Sequence, residues 1–115
     1  MHVARIERLA QEFQQEIAMI IHREMKDPAL GFVTITRVEL SKDLRHAKVL
    51  FSCLGGEAEC QRSHAALDRS VSFIHGLLKK RFRLKVIPQL VFRFDESIAG
   101  AITMTQTLDQ LTQDG

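Results

Sequence analysis

Five of the seven residues from Lys79 to Lys85 are cations, and the two exceptions, Phe82 and Leu84, alternate with Arg83 between them. A stretch so charged cannot be interior, yet its two large apolar side chains need cover. The chain must hold it along the surface of a core, with Phe82 and Leu84 turned inward. Lys79, Lys80, Arg81, Arg83 and Lys85 then all face water. The flanks agree with that reading. Upstream, Ala66, Leu67, Val71, Ile74, Leu77 and Leu78 recur at helical spacing from a candidate N-cap at Ser63, with Phe73 and Phe82 flanking. Ser70-Val71-Ser72 is a weak point in that helix, because serine competes for backbone hydrogen bonds, and Gly76 weakens it again one turn later. Downstream, Pro88 turns the chain into a strand from Leu90 to Phe94. There Leu90, Phe92 and Phe94 point one way and Gln89, Val91 and Arg93 the other.

The earlier residues supply partners for this core. Val3, Ile6, Leu9, Phe13, Ile17, Ile20 and Met25 recur at three- and four-residue steps, which predicts an amphipathic helix closed by Asp27-Pro28. Arg5 and Arg8 lie on one side of it. Phe32 to Leu40 is rich in β-branched residues and predicts a strand. Val33 and Ile35 share one face while Val38 and Leu40 share the other, so a bulge near Thr36-Arg37 is expected. A polar connector, SKDLRH, leads to a second, antiparallel strand in which Ala47, Val49, Phe51 and Cys53 alternate with Lys48 and Ser52. Leu54-Gly55-Gly56-Glu57 breaks that strand, and a loop is expected to about Gln61. The Gly-Gly pair lacks the Gly-Lys-Ser/Thr ending of a phosphate-binding loop. After Asp95 the pattern fades. Residues 97–115 read as a tail that is partly disordered or forms a short helix around Ile98, Ile102, Leu108 and Leu111, following one domain over residues 1–96.

The order α-β-β-α-α-β, with a break in the later helical stretch, gives an α+β fold. Helices pack on one face of a three-stranded sheet, the arrangement of a K-homology-like domain of the second type. Bulk properties narrow the function. At 115 residues the chain holds one core, and no apolar run approaches the roughly 20 residues that span a bilayer. With a charged N-terminus, a cytoplasmic protein without membrane contact is expected. Residues 1–60 carry eight Lys/Arg against nine Asp/Glu, and residues 61–115 eight against five, so the net charge of +2 is unevenly placed. That asymmetry points to a polyanionic partner. Cys53 reads as a small strand residue, neither Cys53 nor Cys60 as part of a disulfide framework, and the five histidines have no metal-ligand spacing. No metal and no cofactor are expected.

Several motifs sharpen this. Asp27-Pro28, Val33-Thr34-Ile35-Thr36, Ser41-Lys42-Asp43-Leu44, Ala47-Lys48-Val49 and the stretch from Pro88 to Ile98 stand in one order. This run resembles the signature of the ribosome-binding factor A family over roughly residues 1–111. The resemblance implies a K-homology topology without a GxxG loop, and none occurs here. It implies a factor of the small ribosomal subunit, contacting its ribosomal RNA near the 5′-terminal helix and assisting RNA processing and growth in the cold. It also implies a helix–kink–helix whose break falls at Ser70, Val71 and Ser72, where the family carries Ala-x-Gly and this chain has no glycine. His75 stands where the family usually has arginine, and Lys85 where arginine is common.

The RNA-binding surface expected is therefore Lys79, Lys80, Arg81, Arg83 and Lys85, with Arg5, Arg8, Arg45 and His75, and with Arg37, Lys42 and Lys48 as possible extensions. The chain has no Trp or Tyr, and its seven Phe fall mostly at core positions, so recognition of backbone and shape is expected over base stacking. No enzyme is expected, because Glu39, Asp43 and Asp95 pair at no diagnostic spacing and no Ser-His-Asp or Cys-His arrangement can be read. A monomer is expected, since one core absorbs the apolar residues. The alternatives are a general K-homology-like RNA-binding module or a protein-interaction domain not tied to the ribosome.

Overall fold

The computed structural model of the chain describes residues 2–97. The elements run α1 (His2–Arg23), β1 (Phe32–Leu40), β2 (His46–Leu54), α2 (Glu57–Arg69), α3 (Val71–Arg81) and β3 (Gln89–Phe94). The expected tail beyond Ser97 lies outside the described residues. β1 pairs antiparallel with β2, and β3 pairs parallel with β2 on its other side, in the order β1-β2-β3. Parallel pairing needs a crossover, and α2 and α3 supply it.

The core lies between the helices and one face of the sheet. Phe13, Ile17 and Ile20 of α1 meet Val33, Ile35, Val49, Phe51 and Phe92 of the sheet and Leu67, Ile74 and Leu78 of the crossover, all buried in one cluster. Leu90 is buried in it too. Phe94 points the same way but sits at the rim, its ring 4.6 Å from Phe51 and 5.1 Å from His64.

The phase change in β1 is a bulge. Ile35 opposes Phe51 and Arg37 opposes Leu50, leaving Thr36 without an opposite number. The bulge is held from two sides. Gln14 of α1 donates to the Thr36 carbonyl at 3.0 Å, and the Thr36 hydroxyl reaches the Asp95 carboxylate at 2.5 Å from across β2. The β1–β2 connector is equally fixed. Ser41 Oγ donates to Asp43 Oδ1 at 2.6 Å, the Arg45 N–H donates to the same carboxylate, and the His46 N–H donates to Ser41 Oγ. These bonds hold Leu44 at φ 60°, a conformation that costs a non-glycine residue roughly 1–2 kcal/mol.

Three sequence expectations need correction. α1 ends at Arg23, before Asp27-Pro28. Asp27 instead accepts the Ala29 N–H at 2.9 Å and pairs with Arg69 at 3.0 Å, tying the α1–β1 loop to the end of α2. α2 starts at Glu57, where Glu57 and Glu59 favour the positive end of the helix dipole, so the expected loop to Gln61 is largely helix. Ser63 is therefore not a cap. It is buried inside α2 and its hydroxyl accepts the Gly31 N–H at 2.9 Å. Finally, Phe32, Phe73 and Phe94 are exposed, so the phenylalanines are less fully absorbed by the core than their spacing suggests.

Two outcomes test this packing. Phe92, completely buried, should cost about 3–5 kcal/mol when cut to alanine, read from denaturant unfolding; a wild-type midpoint would contradict the assignment of β3. Asp27 is held below the ordinary carboxylate value of 3.8, first by the Ala29 N–H and then by Arg69. A depressed carboxylate stabilises the fold above its ordinary value and loses that contribution as pH falls through the folded one. Asp27→Asn should therefore melt below wild type at neutral pH, with the gap closing in acid below 3.8.

Candidate nucleic-acid interface

α2 and α3 meet at a single residue. Ser70 sits at φ −98°, ψ 3°, its N–H turned to Leu67 O at 3.0 Å, while its own carbonyl accepts from Ile74 at 2.9 Å. This is a tight turn at negative φ, open to any L-residue, so no glycine is needed there. Val71 and Ser72 open α3. Ser72, His75 and Gly76 line a cleft of about 420 Å³ against Gln89, Leu90 and Val91 of β3. Lys79 continues the same helical face one turn on.

His75, which the resemblance places where the family usually has arginine, is engaged within the fold. It is half-buried and its Nε2 lies 3.2 Å from the Ile87 carbonyl. A carbonyl accepts, so that nitrogen carries the proton and ties α3 to the segment entering β3.

Arg81 also differs from expectation. It donates to Glu16 of α1 at 2.7 Å and to Glu24, the residue just past the end of α1, at 2.6 Å. These hydrogen bonds, Glu24's first, raise its already high pKa further. Arg81 is thus a clasp between α1 and α3, and its charge is answered within the fold. Below it the chain runs back along α1. Phe82 meets Phe13 edge-on at 4.6 Å, and Leu84 reaches the hollow beside Ile6 and Leu9. Phe82 and Leu84 are half-buried while Arg83 and Lys85 are exposed, the alternation that the spacing predicts.

At the far end of this run, three parts of the chain come together. A hollow of about 730 Å³ has Ile6, Leu9, Leu44 and Leu84 as its apolar lining and Arg5, Arg8, Lys42 and the acid Glu12 as its charged one. A second hollow of about 230 Å³ brings Arg45 beside Lys85, with Asp43 and Val86. Both hollows share Leu44 and Leu84, so they adjoin. Arg5, Arg8, Lys42, Arg45 and Lys85 are therefore grouped around one leucine pair, and none of them forms an ion pair among the described residues. Arg37 and Lys48, by contrast, are both engaged by Glu39 on the sheet. Lys79 and Lys80 lie apart, on α3, also without an acid partner among the described residues. Exposed Phe73 shares the helical face of Lys80, and the spacing that made it look like core flank gave no sign of this.

The division between clasp and open cations can be tested by heat. Arg81→Ala should lower the melting temperature, and Lys80→Ala should leave it unchanged; equal melting of both variants would mean that the clasp contributes nothing.

Comparison with known proteins bears on the fold and the family. The sequence profile of ribosome-binding factor A matches residues 5–108. The chain is 46% identical over 107 residues to the ribosome-binding factor A of Natranaerobius thermophilus, covering 93% of this chain and 82% of that protein. The crystal structure of ribosome-binding factor A from Thermus thermophilus superposes with a TM-score of 0.70 at 26% identity, covering 77% of this chain and 93% of that one. A homology model of the T. thermophilus factor, fitted into a cryo-electron-microscopy map of its complex with the 30S subunit, gives a TM-score of 0.65 at 25% identity over 79% and 96%. With most of the chain matched and the K-homology-like architecture in common, this protein belongs to the ribosome-binding factor A family.

Proposed function

We propose that this protein binds the small ribosomal subunit and assists maturation and processing of its ribosomal RNA near the 5′-terminal helix, with its largest effect in the cold. It acts in the cytoplasm, as a monomer, without catalysis or cofactor. The observation that carries the reading is the group of unpaired cations around Leu44 and Leu84, drawn from α1, the β1–β2 connector and the α3–β3 segment. Phosphate contacts supply most of the affinity of such surfaces, and a rigid connector fixes their spacing. Lys79, Lys80 and Arg83 extend the surface, while Arg81 and His75 position it. The T. thermophilus relative fitted in a 30S complex supports the subunit as the target. Exposed Phe73, two turns before Lys80 on the same face of α3, offers one ring on which an unpaired base can stack.

Co-sedimentation of the protein with small subunits, against free RNA of equal length, tests the target. Preference for the subunit is expected, and equal binding to any RNA would favour a general RNA-binding module. If about four phosphates are neutralised, log K should fall with log salt at a slope of roughly −3 to −4. Lys80→Glu combined with Lys85→Glu should weaken binding and flatten that slope while leaving the melting temperature unchanged, since exposed charges contribute little to stability. Unchanged affinity would exclude these cations as contacts. Cells lacking the protein should accumulate immature small subunits in the cold, and normal maturation there would exclude the cellular role.

A further inference from the structure

The hollow around Leu44 and Leu84 offers more than a phosphate needs. Four aliphatic side chains, Ile6, Leu9, Leu44 and Leu84, line a volume of about 730 Å³. That lies within the roughly 300–1,000 Å³ of sites that enclose a small molecule. Phosphates are held by cations and N–H groups and gain nothing from an aliphatic wall. Glu12 stands in the same lining and repels a phosphate. A carboxylate does, however, accept a hydrogen bond from the exocyclic amine of a base. Leu44 adds an independent sign. It holds φ 60°, a conformation that suits glycine or asparagine and is rare for leucine. Its N–H donates to the Ser41 carbonyl at 2.9 Å, and the Ser41 and Asp43 side chains brace the same turn. The turn itself therefore does not call for a leucine. Nor does the core, since Leu9 and Leu84 pack against the core cluster and Leu44 lies outside it among the described residues. Strained backbone that its surroundings hold in place is a mark of ligand clamps.

We propose, resting on the reading of the surrounding cations as phosphate contacts, that this hollow receives an unstacked base of single-stranded RNA. α1, the β1–β2 connector and the α3–β3 segment each contribute an aliphatic wall to it. No aromatic ring lines it among the described residues, so burial of the base supplies the affinity there. The phosphates on either side of that base fall to Arg5, Arg8 and Lys42 at the rim, and the strand continues toward Arg45 and Lys85 in the adjoining hollow. A base that is paired and stacked in a duplex cannot enter, so the site selects single strands, bulges and ends. Backbone contacts alone would make no such choice.

The test uses the full chain at low salt. A short single-stranded RNA is compared with the same strand built from stable abasic nucleotides, which keep every phosphate. The abasic strand should bind about fivefold more weakly, somewhat less than a base gains on an aromatic ring. A fluorescent adenine analogue that stacking quenches should brighten on binding, because it leaves its neighbours and meets no ring. Leu44→Asn and Leu44→Gly both suit φ 60° and should melt no lower than wild type, yet bind the two strands alike. Equal affinity of wild type for both strands overturns the base site and leaves the phosphate contacts standing. A difference that survives in both Leu44 variants, or quenching of the analogue, places the base elsewhere, as on the Phe73 ring, and overturns the hollow. Failure of wild type to bind either strand overturns this site together with the RNA reading beneath it.

Discussion

The parallel pairing of β2 with β3 is the constraint on which the rest of the molecule depends. Two strands running the same way cannot be joined by a turn, so the chain between Leu54 and Gln89 must cross the sheet and return. One continuous helix would carry the chain away from the sheet. A single residue at Ser70 divides the crossover into two helices, and each packs on the core that the sheet and α1 already share. The return leg then has no helix left to bury it. It lies along α1 through Phe82 and Leu84, and that is why its alternate residues are cations in water.

This arrangement sets which cations are available. Arg81 stands where α3 ends and the return leg begins, and Glu16 of α1 and Glu24 just beyond it hold it there. The clasp removes one charge from the surface and fixes the course of residues 82–85, which carry the next two, Arg83 and Lys85. His75 does the same one layer in, through the carbonyl of Ile87. Residues that look alike in a count of positive charges thus divide into those that shape the surface and those that form it.

Much of this division was invisible in the order of residues. The bulge in β1 was legible because Val33 and Ile35 fall out of phase with Val38 and Leu40, and phase is a local property. The buried face of β3 was legible for the same reason. The alternation of Phe82 and Leu84 with Arg83 and Lys85 also told the truth about which side faces inward. What failed depended on distance along the chain. The partners of Arg81 lie 65 and 57 residues away, on α1 and just past its end, and no spacing rule reaches that far. Ser63 has the chemistry of a cap, and only its burial against Gly31 reveals another use. Gly55-Gly56 read as the start of a long loop because the glycine that reverses a chain looks the same as the glycine that leaves it loose.

The register of β3 carries a consequence for how the protein is assembled. β1 and β2 are neighbours in sequence and their ladder closes over a short connector, whereas His46 meets Gln89 only after the whole of residues 47–88 is gathered in. Contacts of long sequence separation are slow to form, because the loop between them must be closed first. Arg45 and Lys85 share a hollow only once that closure is made, since the Gln89 N–H bonds the Arg45 carbonyl beside it. The cationic end is therefore a late product of folding. Partial opening of β3 alone would dismantle it, while the β1–β2 hairpin and α1 remained intact.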